Sequence, residues 1–499
     1  MKPASLSLPS VFSDHAVLKP SARTPIRGRG QPGKPVLVSL AGVSARTLVR
    51  ADGAWSVALD LRSAGEGPHT LVAQCGEERR EIVDVLLGEV WFCSGQSNMD
   101  LLVCESTHAA GAEAAPPLPR LREFRVRKTA SAVPQDDAEG QWIVATPESV
   151  PRFGAVSYYF GRKLVGELER PVGIIQSSWG NTPIEPWISR TALHSDPRLA
   201  EDERRLRAYF KAQTGDEPEE AVLQARHVPG FLFHTMVAPF RGYGVSGFLW
   251  YQGESNVSRA AAYRTAFPLL VHDWRTHWAQ GELPFYYCQI ANYGPKSARP
   301  GESTWAELRE AQERTLSVAA TGEAVLIDAG EEADIHPRDK RTAGERLAAI
   351  ALANSYHREV PFSGPRYDSL EIRGGEAHLR FRHSQEGLFA RELPATYRLR
   401  STGPTEATLL RNSPGSELEG FAICGADRCF HWAQARIEGE TVIVSSPEVP
   451  EPVAVRYAWA DNPTCNLYNA AGLPAAPFRT DDFPLSTEGG RYLPPGAVS

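Results

Sequence analysis

The sequence predicts a mixed α/β protein built on a doubly wound parallel sheet of five strands with helices on both faces, flanked by β-rich domains. Three observations carry this. Between about 87 and 357, apolar runs of strand length alternate with helical periodicity. Before and after that span, β-prone runs recur between Gly, Pro and Asp-Gly turns. Finally, 499 residues exceed what one compact core encloses, so two or three domains are expected.

In residues 1–86, runs at 36–40, 54–59 and 69–73 have the spacing of a small β-sandwich. The central span, 87–357, offers strand candidates at 86–93, 172–177, 245–252, 284–290 and 324–328. Helical candidates at 155–169, 260–274, 305–319 and 342–357 supply the crossovers that parallel strands need. Two stretches interrupt the alternation and are expected as surface insertions. One is about 105–150, Ala/Pro-rich at 109–119, and the other is the charged, helix-like 197–225. From 358 to 499, runs at 377–381, 441–445 and 453–457 predict a second β-sandwich-like domain.

A hydrophobic fraction of 42% with 23% charged residues is ordinary for a soluble globular chain, and the net charge of −7 gives no reason to bind nucleic acid or an anionic membrane. A neutral or polar small molecule fits better as partner. The N-terminus lacks the apolar core of a secretion signal, so the chain is expected to be soluble and cytoplasmic as it stands, or periplasmic or secreted if a leader precedes it. Seven cysteines form neither a dense disulfide framework nor a zinc pattern. Cys424 and Cys429 are spaced either to bridge a hairpin or to remain small core thiols.

Ligands of open α/β sheets bind beyond the carboxyl ends of the strands, so the residues just after each strand candidate carry the functional reading. In order they are Gly95-Gln96-Ser97-Asn98, Ser178-Trp179-Gly180-Asn181, Gln252-Gly253-Glu254-Ser255-Asn256, Asn292-Tyr293 and Asp334-Ile335-His336-Pro337. Ser97 stands where an apolar strand turns into a helix, beside backbone N–H groups that can support developing negative charge. Ser94 falls before that turn. A serine hydroxyl needs a base, and His336 is the best-placed imidazole, with Asp334 to fix its tautomer and Asp328 as the rival carboxylate. Backbone N–H groups of Ser97 and Gly180, with the side-chain amide of Gln252 or Asn256, would form the oxyanion hole. Gln252 is preferred because it lies nearer the strand end. Gln96, Asn98, Asn181, Glu254, Asn256 and Trp179 are the remaining candidates for substrate contact. Glu254 also fits a structural carboxylate, and Trp179 and Trp187 also fit core packing. Singly these signals are weak; Asp334-Ile335-His336-Pro337 equally suits a helix cap before 338–357. Together, in consistent order after different strands, they describe a site.

These blocks resemble the sialate O-acetylesterase family of SGNH hydrolases. The resemblance rests on Gly88-Glu-Val-Trp-Phe-Cys-Ser-Gly-Gln-Ser-Asn-Met99, Phe248-Leu-Trp-Tyr-Gln-Gly-Glu-Ser-Asn256 and Asp334-Ile-His-Pro-Arg-Asp-Lys340. Secondary matches are Phe153-Gly-Ala-Val-Ser-Tyr-Tyr-Phe-Gly161, Trp179-Gly-Asn-Thr-Pro-Ile-Glu-Pro-Trp187 and the opening Val11-Phe-Ser-Asp-His-Ala-Val-Leu18. It implies a flavodoxin-like hydrolase domain with flanking β domains, no metal or cofactor, and removal of O-acetyl groups from sugars. Carried over by motif, Ser97 is the nucleophile, His336 the base, Asp334 its partner and Gly180 an oxyanion donor. Two departures stand out: Gln252-Gly-Glu-Ser-Asn256 replaces the Gly-x-Asn-Asp of many SGNH hydrolases, and His234 stands where an asparagine is expected. The family label covers esters of plant polysaccharides as well as of sialic acid, so both substrate classes are carried forward. The competing readings are a non-catalytic carbohydrate-binding protein and a short-chain esterase or thioesterase.

Overall fold

The computed structural model describes residues 5–214, 225–384, 387–393 and 417–492, together with the backbones of strands Thr396–Leu399 and Ala407–Leu410. The chain divides into two compact units. The first comprises Met1–Gln252, Pro268–Tyr286 and Tyr492–Ser499, and the second Gly253–Phe267 and Tyr287–Arg491.

The first unit opens with a five-stranded sheet in the order Val17–Leu18, Glu78–Leu87, His69–Cys75, Pro35–Leu40, Val43–Leu48, and a ribbon pairing Thr24–Arg29 with Ala54–Leu59. Period-two alternation buries Val36, Val38 and Leu40 on one strand and Trp55, Val57 and Leu59 on another. The strand expected at 86–93 is two strands that meet at Gly88. A Cβ there would lie 2.1 Å from the Pro171 carbonyl oxygen, so only glycine passes.

A larger sheet follows in the same unit. Its strands lie in the order Gly140–Ala145, Leu118–Val126, Val172–Ser178, Glu89–Gly95, Gly247–Tyr251, Phe285–Cys288. The pairings from Leu118–Val126 through Gly247–Tyr251 are parallel, and Gly140–Ala145 closes the edge antiparallel. The sheet is therefore mostly parallel and wider than five strands. Its two additional strands come from within 105–150, which sequence reasoning put at the surface. Leu118–Val126 carries the charged residues Arg120, Arg122, Glu123 and Arg125. In the fold the carboxylate of Glu123 is wholly buried and satisfied by the Gly154 N–H and Arg125 Nε, at 2.9 and 3.0 Å. Beneath the sheet Phe92 meets Phe240, Phe248, Trp274 and Trp278 edge-on, with ring centroids 5.4, 6.3, 5.5 and 5.2 Å away.

Helix positions agree with the expected periodicity, with shifted ends. Ala155–Leu168 matches closely, and Ala260–Trp278 runs past 274 with Pro268 inside it. Thr304–Arg314 and Lys340–Asn354 start where Ser303 and Asp339 accept hydrogen bonds from Ala306 N and Thr342 N. Pro197–Thr214 is helical, and the rest of the expected insertion, 215–224, lies outside the described residues.

In the second unit, Thr321–Ala324 is the strand expected at 324–328, and Gln289 N donates to Ala324 O at 2.9 Å. The apolar residues that follow it, Val325 and Ile327, instead enter the core of the C-terminal β region. That region holds a sheet in the order Arg366–Arg373, Glu376–Arg382, Thr441–Ser445, Gln434–Glu438. A second has the order His431–Trp432, Phe421–Cys424, Ala454–Tyr457, Phe478–Arg479. Cys424 is buried and Cys429 exposed, both as free thiols, so the hairpin bridge does not form. Among the described residues, no helix is long and apolar enough to cross a membrane.

Candidate active site

The first unit assembles the Ser97 loop from three strand ends. Glu89–Gly95 pairs with Val172–Ser178 through Gly95↔Ser178 and with Gly247–Tyr251 through Gly95↔Tyr251, so three loops leave the sheet side by side. Gly95 has φ +142°, and a Cβ there would lie 2.1 Å from the Tyr251 carbonyl oxygen. Its freedom lets the strand turn at once into the helical turn Ser97–Asp100. Gln96 N and Trp179 N then tie the three loops together by donating to Tyr251 O and Gly95 O, at 3.0 and 3.1 Å.

Gly180 lies against Ser97. A Cβ on Gly180 would sit 3.4 Å from the Ser97 Cβ and 3.9 Å from its backbone nitrogen. The adjoining Asn181 is exposed in the left-handed conformation, φ +58°. Gln252, fully buried, donates its amide to Gln96 Oε1 at 3.2 Å and to Thr182 O at 3.3 Å. It thus links all three loops. Gln96 and Asn98 are buried, Ser97 is half-buried, and Ser94 is wholly buried and so out of reach of a substrate. Trp179 is nearly buried with the Arg226 guanidinium 5.9 Å from its ring. Trp187 is core. It is fully buried, donates Nε1 to Thr182 Oγ1 and accepts Trp274 Nε1 on its carbonyl. His234, at the position where an asparagine is expected, is buried with Nδ1 3.0 Å from Ser131 O, and burial lowers its pKa.

The second unit holds the His336 loop. His336 Nδ1 lies 3.4 Å from Asp334 Oδ1, and the same oxygen accepts the His336 backbone N–H at 2.8 Å. Both side chains keep solvent access, 41% for His336 and 49% for Asp334. The helix cap is Asp339, which answers the alternative that Asp334 serves only as a cap. Asp328 is otherwise engaged: Arg346 donates to its two oxygens at 2.6 and 2.8 Å, and Tyr468 Oη to one of them at 3.1 Å. The fourth loop buttresses this region, for Asn292 Oδ1 accepts Gly330 N at 2.8 Å and Tyr293 pairs with Glu331. Glu254 and Asn256 are buried on the turn Glu254–Arg259.

Sequence reasoning assigned no role to three groups near these loops. Lys340 ends the Asp334–Lys340 motif and is wholly buried. Burial pushes its pKa down to about 8, against the opposing influence of Glu254, Cys288, Asp334 and Glu331. Asp100 closes the Ser97 turn and accepts from Lys128 Nζ at 2.5 Å and Ser178 Oγ at 3.0 Å. Arg226 covers Trp179. Lys340 and Asp100 were marked by their adjacency to the motifs; Arg226 had no local signal.

Comparison with known proteins gives this geometry its context. The family model described as carbohydrate esterase, sialic acid-specific acetylesterase matches residues 87–353. The chain belongs to this family. Human sialate O-acetylesterase is 27% identical over 94% of this chain and 91% of its own length. The rat sialate O-acetylesterase is 29% identical over 85% and 83%. A crystal structure of a carbohydrate acetylesterase from Xanthomonas citri superposes with a TM-score of 0.82 at 34% identity, covering 96% of this chain and all of that one. This sialic acid-specific acetylesterase family places the chain among esterase hydrolases.

Proposed function

We propose that the protein is a carbohydrate O-acetylesterase acting through a serine acyl-enzyme, on a flavodoxin-like catalytic region, 87–357, between β domains at 1–86 and 358–499. Ser97 Oγ attacks the acetyl carbonyl carbon, while His336 accepts the hydroxyl proton and Asp334 holds the imidazole. The tetrahedral oxyanion is stabilised by the backbone N–H groups of Ser97 and Gly180, with the Gln252 amide as third donor or as the clamp that positions Gln96. On collapse, the C–O bond to the sugar breaks and His336 returns the proton to the departing sugar oxygen. Water then attacks the acetyl-serine and acetate leaves. Gln96, Asn98, Asn181, Glu254, Asn256 and Trp179 are the groups we assign to substrate contact, with no metal or cofactor taking part.

The observation that supports this reading is Gly180 set against Ser97 at a three-loop junction, where a Cβ on Gly180 would lie 3.4 Å from the Ser97 Cβ. The strand order Val172–Ser178, Glu89–Gly95, Gly247–Tyr251, Phe285–Cys288 supports the flavodoxin-like assignment. The test is Ser97→Ala. Acetate release from 4-nitrophenyl acetate should fall by at least about 10³-fold with Tm unchanged, and undiminished turnover would end the assignment. Acetylated xylan, xyloglucan, glucomannan and 9-O-acetyl sialic acid, assayed side by side, identify the sugar. A preference for acyl chains beyond butyrate would contradict an acetylesterase and favour a lipase or thioesterase instead.

A further inference from the structure

We propose that a groove in the C-terminal β region is a second, non-catalytic binding site for a neutral sugar chain. The proposal rests on the acetylesterase reading only for the link between this ligand and the substrate. The groove is about 760 Å³, within the range of small-molecule sites, and lies entirely in the second unit. Trp432, Gln434, Arg436, Glu417, Glu419 and Ser445 give it its chemistry.

Along His431–Glu438 exposure alternates. Trp432, Gln434, Arg436 and Glu438 face out, while Ala433, Ala435 and Ile437 lie less exposed between them. On Gln434–Glu438 the outward residues form one row, with about 6–7 Å between successive side chains, and Trp432, on the strand just before it, lines the same groove as Gln434 and Arg436. Trp432 is 47% exposed although its indole Nε1 is fixed on the Ala298 carbonyl at 3.0 Å. A large ring held by its polar edge, with its apolar surface left in water, is a platform for the C–H face of a pyranose. The next two outward residues put an amide and a guanidinium beside it, and Ser445 pairs across from Gln434. These are donors and acceptors suited to sugar hydroxyls.

The charge balance selects the ligand. Arg436 is already neutralised: its Nη1 and Nη2 lie 2.8 and 3.2 Å from the Glu376 carboxylate, and its Nε is 2.9 Å from Glu438 Oε1. Glu417 adds negative charge to the wall. Such a groove repels sialic acids and uronates and accepts uncharged glycans. It would hold a neutral polysaccharide that carries the acetyl esters.

Native gels containing deacetylated xylan, xyloglucan, glucomannan or polysialic acid test this with the full chain. The wild-type protein should be retarded by at least one neutral glycan and not by polysialic acid. Trp432→Ala should weaken that binding at least tenfold and Trp432→Phe, which keeps a platform but drops the bond to Ala298, less than about threefold. Gln434→Ala, an exposed change that leaves the fold alone, should weaken it severalfold. All three should turn over 4-nitrophenyl acetate as the wild type does. The proposal is overturned if no neutral glycan retards the wild type, if polysialic acid retards it equally, if Trp432→Ala or Gln434→Ala binds like the wild type, or if Trp432→Phe loses as much as Trp432→Ala. Retardation dependent on Trp432 in a chain that releases no acetate would refute the esterase reading and leave the groove standing.

Discussion

Asp334 and Asp328 are six residues apart in the sequence, and their partners separate their roles. Asp334 is exposed and bonds His336 on its own loop, whereas the Asp328 side chain is mostly buried with Arg346 and Tyr468. Burial alone would raise the Asp328 pKa, but the hydrogen bonds and charge of Arg346 outweigh it and hold the carboxyl below the usual range. Asp334→Asn should therefore cut kcat by about 10²–10⁴-fold with little change in Tm. Asp328→Asn should cost about 2–3 kcal/mol of stability, less than a fully buried pair because both side chains keep some exposure. Urea melts and acetate release on the two variants check this, and the opposite pattern would exchange the roles. Lys340 offers a pH test. Its pKa of about 8 in the fold lies below the ordinary 10.5, so between those values the unfolded chain binds more protons and stability rises with pH. Tm measured from pH 7.5 to 10 should climb more steeply for the wild type than for Lys340→Met; parallel curves would contradict the shift.

At the level of single elements, the turn after Glu89–Gly95 tolerates no side chain at Gly95. A methyl group on Gly95 would meet backbone at 2.1 Å, which no side-chain rotation relieves. Gly95→Ala is expected to fail to fold or to lose several kcal/mol, of order 3 or more, read as insoluble expression or a collapsed Tm. Gly180→Ala meets only a 3.4 Å contact and should fold normally while losing turnover, approaching about 10²-fold through misplacement of the reacting atoms. The elements that sequence reading located well were those with clean periodicity. Val172–Ser178 is buried along its whole length and Ala155–Leu168 carries a continuous apolar face, so both stand out from their neighbours. Leu118–Val126 escaped because the Glu123 carboxylate is paired inside the fold, a compensation that local pattern does not register. The strand after 320 was placed late because Val325 and Ile327 are apolar for a different core.

For the molecule as a whole, the Ser97 loop was legible because the motif, the strand before it and the glycine beside it all point to one turn. Its neighbours Asp100 and Arg226 depend on contacts between residues far apart in sequence, with Lys128 and Ser178 for the first and Trp179 for the second. Phe92 packs at the centre of an aromatic cluster in the first unit. Phe92→Ala should cost about 3–5 kcal/mol. A loss below about 1 kcal/mol in urea melts would mean that the cluster closes over the void. The path of the backbone has its own consequence. It passes from one unit to the other after Gln252, Phe267, Tyr286 and Arg491, within the Ala260–Trp278 helix and the Phe285–Cys288 strand at the second and third of these points. Neither unit can be cut out as an uninterrupted polypeptide. A truncation after Phe267 or Tyr286 severs both at once, so such partial chains should be recovered as aggregates rather than as working halves.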